Sequence, residues 1–261
     1  MTDLLGICTS WGQGVCVVQP EAGPPVTIAL ADIVSGKPVP PRASVRARVS
    51  PREAQVRAFA LFPDLETESV GDWVLRRSAG HSARRANSAL AFGPSGVAGD
   101  VDRVEEFYDR PVAAVLPDSP EDELFRGRGW VLESHDADTV FMVGSVAMAR
   151  RGCRDRGIAR SEQVELEETG SSGATARIEQ QASGVAAYAD DWVGFRAIEV
   201  APEHRRQGLG LAVMDALLEW GAEQGATTAY LQVIGDNEAA LRLYEGLGFR
   251  EHHRYRYLTP G

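Results

Sequence analysis

Two arginines and two glycines stand close together at residues 205–210, in the order Arg-Arg-Gln-Gly-Leu-Gly. Glycine lets a phosphate oxygen approach the backbone closely, and arginine adds positive charge. The segment lies directly before an amphipathic stretch that predicts a helix, and the first N–H groups of a helix have no partner within it. Such a helix N-terminus binds phosphate well. The segment therefore predicts a site for a pyrophosphate.

Two other interpretations of the same segment remain open. A dinucleotide-binding loop requires the pattern GxGxxG, and its third glycine position is occupied here by Val213, which makes that interpretation weak. A plain strand-to-helix turn with exposed arginines would need no ligand at all.

A second group of residues falls on one face of a helix predicted further along the chain. Asn237, Ala240, Leu241 and Tyr244 are spaced i, i+3, i+4 and i+7, which places them on the same side. Tyr244 is either a functional hydroxyl or a core aromatic on an amphipathic helix.

Together these two segments resemble the GNAT N-acetyltransferase superfamily. The text IEVAPEHRRQGLG matches the acetyl-CoA loop R/Q-x-x-G-x-G/A of that superfamily through Arg205, Gly208 and Gly210. The text LQVIGDNEAALRLYEGLGF matches its Asn-x-x-Ala-x-x-x-Tyr helix and the Gly-Phe that follows. The resemblance covers residues 180–258 and implies an α/β (α+β) fold with acetyl-CoA as co-substrate.

The resemblance also implies a role for each matching residue. Backbone groups of residues 198–200 would face the pantetheine arm and the acetyl carbonyl, and amides of residues 206–211 would hold the pyrophosphate. Asn237 would hydrogen-bond the cofactor near the pantetheine. The cofactor-binding residues implied in this way are Ile198, Glu199, Val200, Arg205, Arg206, Gln207, Gly208, Leu209, Gly210, Leu211, Asn237, Ala240 and Tyr244.

Two catalytic roles follow from the same resemblance. Tyr244 would protonate the leaving thiolate, which is feasible because a tyrosine pKa of about 10 is close to that of a thiol. The Val200 N–H would stabilise the oxyanion.

Ribosomal-protein N-terminal-alanine acetyltransferases, which this half also resembles, often carry a glutamate where Gln232 stands here. Glutamine cannot accept a proton, so Glu199 is the candidate base; a water relay or a merely solvent-facing Glu199 remains open.

The first half of the chain resembles the degenerate first half of actinobacterial tandem acetyltransferases. The matching stretches are residues 73–93, 105–117 and 124–130, and none contains the R/Q-x-x-G-x-G/A loop. The first 40 residues resemble the small SH3-like barrel that precedes such halves. Arg84, Arg85 and Asn87 could reach the substrate, or could be surface charge and strand polarity.

These patterns predict three regions. Residues 1–45 form a small SH3-like β module that ends in a proline-rich linker at 36–41, residues 46–150 a degenerate GNAT-like half, and residues 151–261 the catalytic GNAT domain. The boundary near 150 rests on a charged, Gly/Ser-rich stretch at 150–173, interpreted as a solvated connector. Strands are predicted, among others, at 73–77, 139–148, 192–201, 228–234 and 249–258. Helices are predicted after Gly208 and after Asp236 or Asn237, ending at Gly225 and Gly248.

Composition limits the possible functions. The 261 residues are 44% apolar and 25% charged, which is ordinary for a soluble globular protein. A net charge of −10 argues against general nucleic-acid binding and tolerates cationic amines. The longest nearly apolar stretch, 140–149, is half the roughly 20 residues of a spanning helix. No membrane association is expected, and the absence of a signal-peptide pattern favours a cytoplasmic location.

No metal is expected either, because the sequence contains neither HExxH nor CxxC. The predicted function is acetyl transfer from acetyl-CoA to a primary amine by direct attack in a ternary complex. The acceptor is a small molecule or a protein N-terminus, and the chain is a monomer or a homodimer. The alternative from another class is a non-catalytic protein that binds acetyl-CoA for regulation or interaction.

Overall fold

A computed structural model describes residues 4, 6–20, 23–35, 45–134, 138–156 and 164–261. The chain divides into two compact units, residues 1–42 and 43–261. The predicted proline-rich linker at 36–41 lies outside the described residues, as does the segment 157–163 of the predicted connector.

The first unit contains a small antiparallel sheet of β1 (Gly6–Gly12), β2 (Val15–Pro20) and β3 (Val26–Ala29), in the order β1-β2-β3. A tight turn joins β1 to β2, with Gln13 at a φ of +51°. The strands described in this unit form an open sheet, because three strands are too few to close a barrel. The SH3-like barrel is therefore not confirmed.

The second unit combines six helices and twelve strands among its described residues. The helices are α1 (Pro51–Arg57), α2 (Asp100–Phe107), α3 (Pro120–Gly127), α4 (Val146–Asp155), α5 (Leu209–Glu223) and α6 (Glu238–Gly246). The strands are β4 (Glu66–Val70), β5 (Trp73–Arg77), β6 (Ala89–Leu90), β7 (Ala113–Val115), β8 (Trp130–Leu132), β9 (Thr139–Ser145), β10 (Glu165–Thr169), β11 (Gly173–Ile178), β12 (Ala182–Ala189), β13 (Trp192–Val200), β14 (Thr228–Ile234) and β15 (Arg250–Pro260).

All twelve strands belong to one sheet, in the order β10-β11-β12-β13-β14-β9-β15-β7-β6-β5-β4, with β8 also paired to β15. The pairs β13–β14 and β6–β7 are parallel, and the other pairs are antiparallel. Strand β9 precedes residue 150 in the chain but lies between β14 and β15, which follow it. Strands from both sides of the predicted boundary thus share one sheet, and the boundary and the tandem arrangement stay predictions.

Helix α5 lies against β13 because glycines let it come close. A Cβ on Gly221 would be 2.9 Å from the Val193 side chain, and one on Gly210 would be 3.3 Å from Val200. The helix buries Val213, Leu217 and Trp220 at the spacing expected of one face. Its predicted end at Gly225, which has a φ of +96°, is confirmed.

Two predictions near the chain's middle are wrong. The predicted strand 139–148 ends at Ser145, and α4 begins at Val146. The predicted connector 150–173 contains the rest of α4 and all of β10. Ser145 stands at the N-cap of α4 but makes no side-chain capping hydrogen bond, and the apolar run continues through it into the helix. The buried positions of the helix, among them Ala149 and Cys153, are small and lie among arginines, so the helical pattern is weak. One of these arginines, Arg150, forms ion pairs with α5 rather than facing solvent.

Strand β15 carries a buried histidine, His253, that contacts no acidic side chain among the described residues. The His253 ring stacks on Phe141 with 4.8 Å between centroids. Its Nε2 accepts a hydrogen bond from Gln55 Nε2 at 3.1 Å, which leaves the proton on Nδ1, 2.8 Å from His252 Nδ1. Burial and the neighbouring His252 lower the pKa of His253 to about 3. The ring is therefore neutral in the folded chain at neutral pH.

This burial makes stability depend on pH in a predictable direction. Because the pKa of His253 is depressed by folding, the unfolded chain binds the proton first once the pH falls below about 6.5. The free energy of unfolding should drop by about 2 kcal/mol between pH 7 and pH 5 from this group. His253→Gln should remove most of that dependence in urea unfolding, while His204→Gln, in the half-exposed turn after β13, should keep it. Identical pH slopes in both variants would contradict the assignment.

Candidate active site

A gap opens in the middle of the large sheet. The parallel ladder between β13 and β14 starts at Trp192 opposite Thr228 and ends at Phe195 opposite Leu231. Beyond that point β13 continues along β12 to Val200, while β14 continues along β9. The two strands therefore diverge and expose their edges to each other.

A β-bulge in β13 lies where the strands diverge. The pairing with β12 shifts register between Ser183 and Val185, and on β13 Ala197 takes a φ of +51°. A non-glycine residue in this region is strained by about 1–3 kcal/mol, and such strain gathers at functional sites. Opposite the bulge, a Cβ on Gly184 would lie 2.4 Å from Ile198 Cδ1. The bulge bends β13 and packs closely against Gly184, where a larger residue would force the Ile198 side chain to move.

Two cavities meet at this gap. The first, of about 1040 Å³, lies towards the N-terminus of α5, and the second, of about 670 Å³, lies towards β14 and β15. Four residues line both cavities: Ile198, Glu199, Ala240 and Tyr244. Two molecules bound from the two sides would meet at these four residues.

The predicted anion loop forms the entrance to α5. Gly208 precedes the helix with a φ of +83° and no side-chain cap, so the first N–H groups of α5 have no partner within the helix. Arg206 also has a positive φ of +63°. The loop residues that line the first cavity are Arg205, Arg206, Gly210 and Leu211. Gln207, Gly208 and Leu209 belong to the same loop but lie outside the lining formed by the described residues.

The backbone of β13 presents hydrogen-bonding groups to the gap. The Ala201 N–H donates to the Gln181 carbonyl at 2.8 Å, so by the alternation of an antiparallel ladder the Val200 N–H and C=O point away from β12. The Val200 carbonyl accepts a hydrogen bond from Arg205 Nε at 3.2 Å. The Val200 N–H therefore faces the side from which β14 has diverged; its role as an oxyanion donor stays a prediction.

Tyr244 stands where the two cavities meet. It lies on α6, with its ring 5.9 Å from that of Phe249 in an edge-on arrangement. Burial raises the pKa of the hydroxyl above its usual value, so the group keeps its proton at neutral pH. Among the described residues the hydroxyl has no hydrogen-bond partner. The hydroxyl is thus available for a ligand.

Asn237 has a structural role that the structure makes explicit. Its Oδ1 accepts a hydrogen bond from the Ala240 N–H at 3.1 Å and caps α6. The residue is exposed and lines the second cavity. Of the two predicted caps, Asp236 and Asn237, the structure selects Asn237. Its predicted contact with the cofactor remains a prediction.

The candidate bases lie on the two diverging strands. Glu199 is exposed and lines both cavities. Gln232 lines the second cavity, and its Oε1 accepts a hydrogen bond from the Tyr255 hydroxyl. The Tyr255 hydroxyl in turn accepts one from Tyr257 at 3.3 Å. Glu199 is therefore the carboxylate adjacent to both cavities, while Gln232 offers only hydrogen bonds.

The first half of the chain contributes a wall of the second cavity. Arg84 and Arg85 line it from a single 3₁₀ turn. Arg84 pairs with Glu133 at 2.6 Å and lies over the Tyr257 ring at 4.7 Å. Asn87 instead holds the preceding loop, donating from Nδ2 to the carbonyls of His81 and Ala83. Arg84 and Arg85 are thus placed to contact a ligand, whereas Asn87 is structural.

Sequence reasoning missed three residues of the second cavity: Arg196, Tyr255 and Tyr257. They lie on β13 and β15, and no motif marks them. The only available signal was the alternation of tyrosines along the last strand, which predicts that they share one face. Their meeting with the turn at 84–86 depends on the order of strands in the sheet.

Neither a metal centre nor a membrane span is found in the described part of the chain. Within it, no three His, Cys, Asp or Glu side chains form a group that could hold a metal ion. Within the same residues, no helix has the length and apolarity needed to cross a membrane.

Comparison with known proteins gives a consistent picture. A family model described as "Probable histone acetyltransferase Rv0428c C-terminal" matches residues 51–258. The chain is 46% identical over 68 residues to the probable histone acetyltransferase Rv0428c of Mycobacterium tuberculosis. It is 44% identical over 54 residues to the [ribosomal protein bS18]-alanine N-acetyltransferase of Escherichia coli. It is 41% identical over 75 residues to the uncharacterized N-acetyltransferase YobR of Bacillus subtilis.

These matches are local. They cover 26%, 21% and 28% of this chain and 22%, 36% and 30% of the respective relatives. The chain thus matches about a fifth to a third of the length of the relatives.

Two solved structures resemble most of the chain. A GCN5-related N-acetyltransferase from Kribbella flavida aligns with a TM-score of 0.57 and 17% identity, over 83% of this chain and 95% of its own. A functionally unknown conserved protein from Staphylococcus epidermidis aligns with a TM-score of 0.51 and 10% identity, over 82% of this chain and 98% of its own. At these identities the likeness shows the fold alone.

The cap of α6 gives a direct test of the role of Asn237. Asn237→Ala should lower the free energy of unfolding by about 1 kcal/mol, because the Ala240 N–H loses its side-chain acceptor. Asn237→Asp should keep the stability, since its carboxylate can accept the same hydrogen bond. Urea unfolding of the two variants measures the difference; equal stabilities would show that the cap contributes nothing.

Proposed function

Because this chain belongs to the family of the probable histone acetyltransferase Rv0428c C-terminal region, we propose that it transfers an acetyl group from acetyl-CoA to a primary amine. The resemblance to the GNAT superfamily that the sequence predicts is thereby confirmed. The observation that carries the proposal is the meeting of two cavities at Ile198, Glu199, Ala240 and Tyr244. A donor and an acceptor can enter from opposite sides and react directly.

The first cavity fits acetyl-CoA by its chemistry. At one end the free N–H groups of α5, together with Arg205 and Arg206, suit a pyrophosphate. Towards the gap the wall is more apolar, with Met214 and Leu243, and the edge of β13 offers amide groups to an amide-bearing arm. Acetyl-CoA, when bound, supplies an activated acyl thioester. We therefore propose that acetyl-CoA binds in this cavity, with the predicted cofactor-binding residues in its lining, in the adjoining loop (Gln207, Gly208 and Leu209) or, for Asn237, in the second cavity.

The residues at the meeting point can divide the work of the reaction. The amine nitrogen attacks the thioester carbonyl carbon, and the Val200 N–H is placed to stabilise the oxyanion that develops there. As the carbon–sulfur bond breaks, Tyr244 donates its proton to the thiolate. Glu199, directly or through water, takes the proton that the amine loses. No covalent enzyme intermediate is needed.

The division of the chain enters this proposal as well. We propose that residues 151–261 hold acetyl-CoA, that residues 46–150 are a degenerate GNAT-like half, and that residues 1–45 are a small SH3-like module. The contribution of the turn at 84–86 to the second cavity supports a role for the first half in acceptor binding. A relative that acts on ribosomal protein bS18 supports a cytoplasmic location and a protein N-terminus as one candidate acceptor.

A second candidate function is supported by Gln232. Its side chain cannot accept a proton, and its hydrogen bond with Tyr255 fixes it in a purely structural contact. A chain of this kind could bind acetyl-CoA without turnover and act through a partner. The two functions differ in whether thiol release depends on an added amine.

The test of the proposed function combines turnover with binding. Wild type should release free thiol from acetyl-CoA only when an amine from a panel is added; binding without release would favour the second candidate.

Gly208→Asp should weaken acetyl-CoA binding at least tenfold in calorimetry, because its carboxylate repels the pyrophosphate. Gly208→Asn is the matched control, since both residues tolerate a positive φ and only Asp is charged. Equal affinities of the two variants would contradict the loop assignment.

Tyr244→Phe tests the proton donor. The loss of a general acid should lower kcat by about 10²–10⁴, with acetyl-CoA affinity nearly unchanged. Because the hydroxyl has no partner among the described residues, the free energy of unfolding should not fall. Tyr230→Phe is the opposite control. The buried Tyr230 hydroxyl donates to the Arg57 carbonyl at 3.2 Å, so this variant should lose about 1 kcal/mol of its free energy of unfolding and keep its kcat. A Tyr244→Phe variant with normal kcat would make the residue structural.

A further inference from the structure

The second cavity is cationic in an acidic protein. Its lining contains three arginines, Arg84, Arg85 and Arg196, and two exposed carboxylates, Glu199 and Asp236. The whole chain carries a net charge of −10. Three cations against two carboxylates give this lining a net charge of +1, the opposite sign to that of the whole chain.

Arg196 is held by two hydrogen bonds, and no carboxylate in the described part of the chain forms an ion pair with it. Its Nε donates to the Leu61 carbonyl at 2.9 Å, and its Nη2 donates to His81 Nε2 at 3.1 Å. Arginine can only donate, so His81 accepts at Nε2 and carries its proton on Nδ1, which lies 2.8 Å from Asp64. The His81 ring thus lies between the guanidinium of Arg196 and the Asp64 carboxylate.

Arg85 is the cation of this cavity that is left uncompensated. It is half-buried, and among the described residues it has no hydrogen-bond or ion-pair partner. Arg84, beside it on the same turn, already pairs with Glu133. Burial, and after it the charge of Arg85, lower the pKa of Arg196. Both guanidinium groups line the second cavity, and their positive charges repel each other.

An anion placed between the two guanidinium groups would relieve that repulsion. Arginine binds carboxylate and phosphate through charge-assisted hydrogen bonds, often two at once. The arginines also share the second cavity with Glu199 and Tyr244, where the proposed reaction takes place. The anion and the reacting amine would thus belong to the same molecule.

We propose that the acceptor is an amine that itself carries an oxyanion, a carboxylate or a phosphate, which Arg85 and Arg196 bind in the second cavity. This inference rests on the proposed acetyl transfer and specifies its substrate class. It also gives the first half of the chain a function, since Arg85 comes from the turn at 84–86. The amine end of the acceptor then points towards the four residues shared by the two cavities.

Matched acceptor pairs test the proposal. One pair is 4-aminobutanoate and 4-aminobutanamide; the other is O-phosphoethanolamine and ethanolamine. In wild type, kcat/KM should be at least tenfold higher for the anionic member of one or both pairs. Arg85→Gln should reduce that preference by about ten- to a hundredfold, and Arg85→Lys should restore part of it. The ratio between variants cancels the intrinsic difference in amine basicity.

The control is Arg103→Gln, an exposed cation on α2 outside both cavities, which should leave the preference intact. If only the 4-aminobutanoate pair shows the preference, the bound anion is a carboxylate; if only the O-phosphoethanolamine pair shows it, the bound anion is a phosphate. Equal rates within both pairs, or a preference that Arg85→Gln leaves unchanged, would overturn the inference while acetyl transfer itself stands.

Failure of the proposed function has a different signature. If no amine releases thiol, acetyl transfer fails, and calorimetry with the same four amines then tests the inference. Binding of an anionic member that Arg85→Gln weakens supports an anion site. Equal binding of anionic and neutral members overturns it.

Discussion

The site depends on the separation of two neighbouring strands in the middle of the sheet. Strand β14 pairs with β9 along its whole length, from Thr228 opposite Ser145 to Ile234 opposite Thr139. Strand β13 pairs with β12 on its other edge and bends at the bulge around Ala197. Because each strand stays with its outer neighbour and β13 bends, their inner edges separate and the parallel ladder ends at Phe195 and Leu231. The amide edge and both cavities exist because of this divergence.

The place of β9 also explains why the first part of the chain matters to the site. Strand β9, which precedes residue 150, pairs with β14 on one edge and with β15 on the other. Strand β15 in turn pairs with β7, which belongs to the first half of the chain. Because the sheet is continuous, the turn at 84–86 reaches the second cavity, and the His81 ring reaches Arg196. A first half without an R/Q-x-x-G-x-G/A loop of its own thus still shapes the second cavity.

The parts of the site that sequence predicts are those fixed by short stretches of chain. The loop with Gly208, helix α5 and the cap of α6 are local, and each has a residue-level signal in capping or in helical spacing. The order of strands in the sheet places β9 between β14 and β15, and it brings Arg196 into contact with His81, 115 residues away. Hydrophobic patterns along the sequence do not predict this order. The sequence pattern does not predict helix α4, because its buried residues Ala149 and Cys153 are small and lie among arginines.

The distribution of charge around the meeting point suits the direction of proton flow. Positive groups stand at the far ends, with Arg205 and Arg206 in the first cavity and Arg85 in the second. The Tyr244 hydroxyl lies between them with a raised pKa caused by burial, so it holds its proton until a strong base forms beside it. In the proposed reaction the leaving thiolate is that base. Burial raises the Tyr244 pKa and so makes the hydroxyl a weaker acid toward sulfur. The proposed transfer therefore depends on the position of the hydroxyl where the two cavities meet, rather than on its acidity.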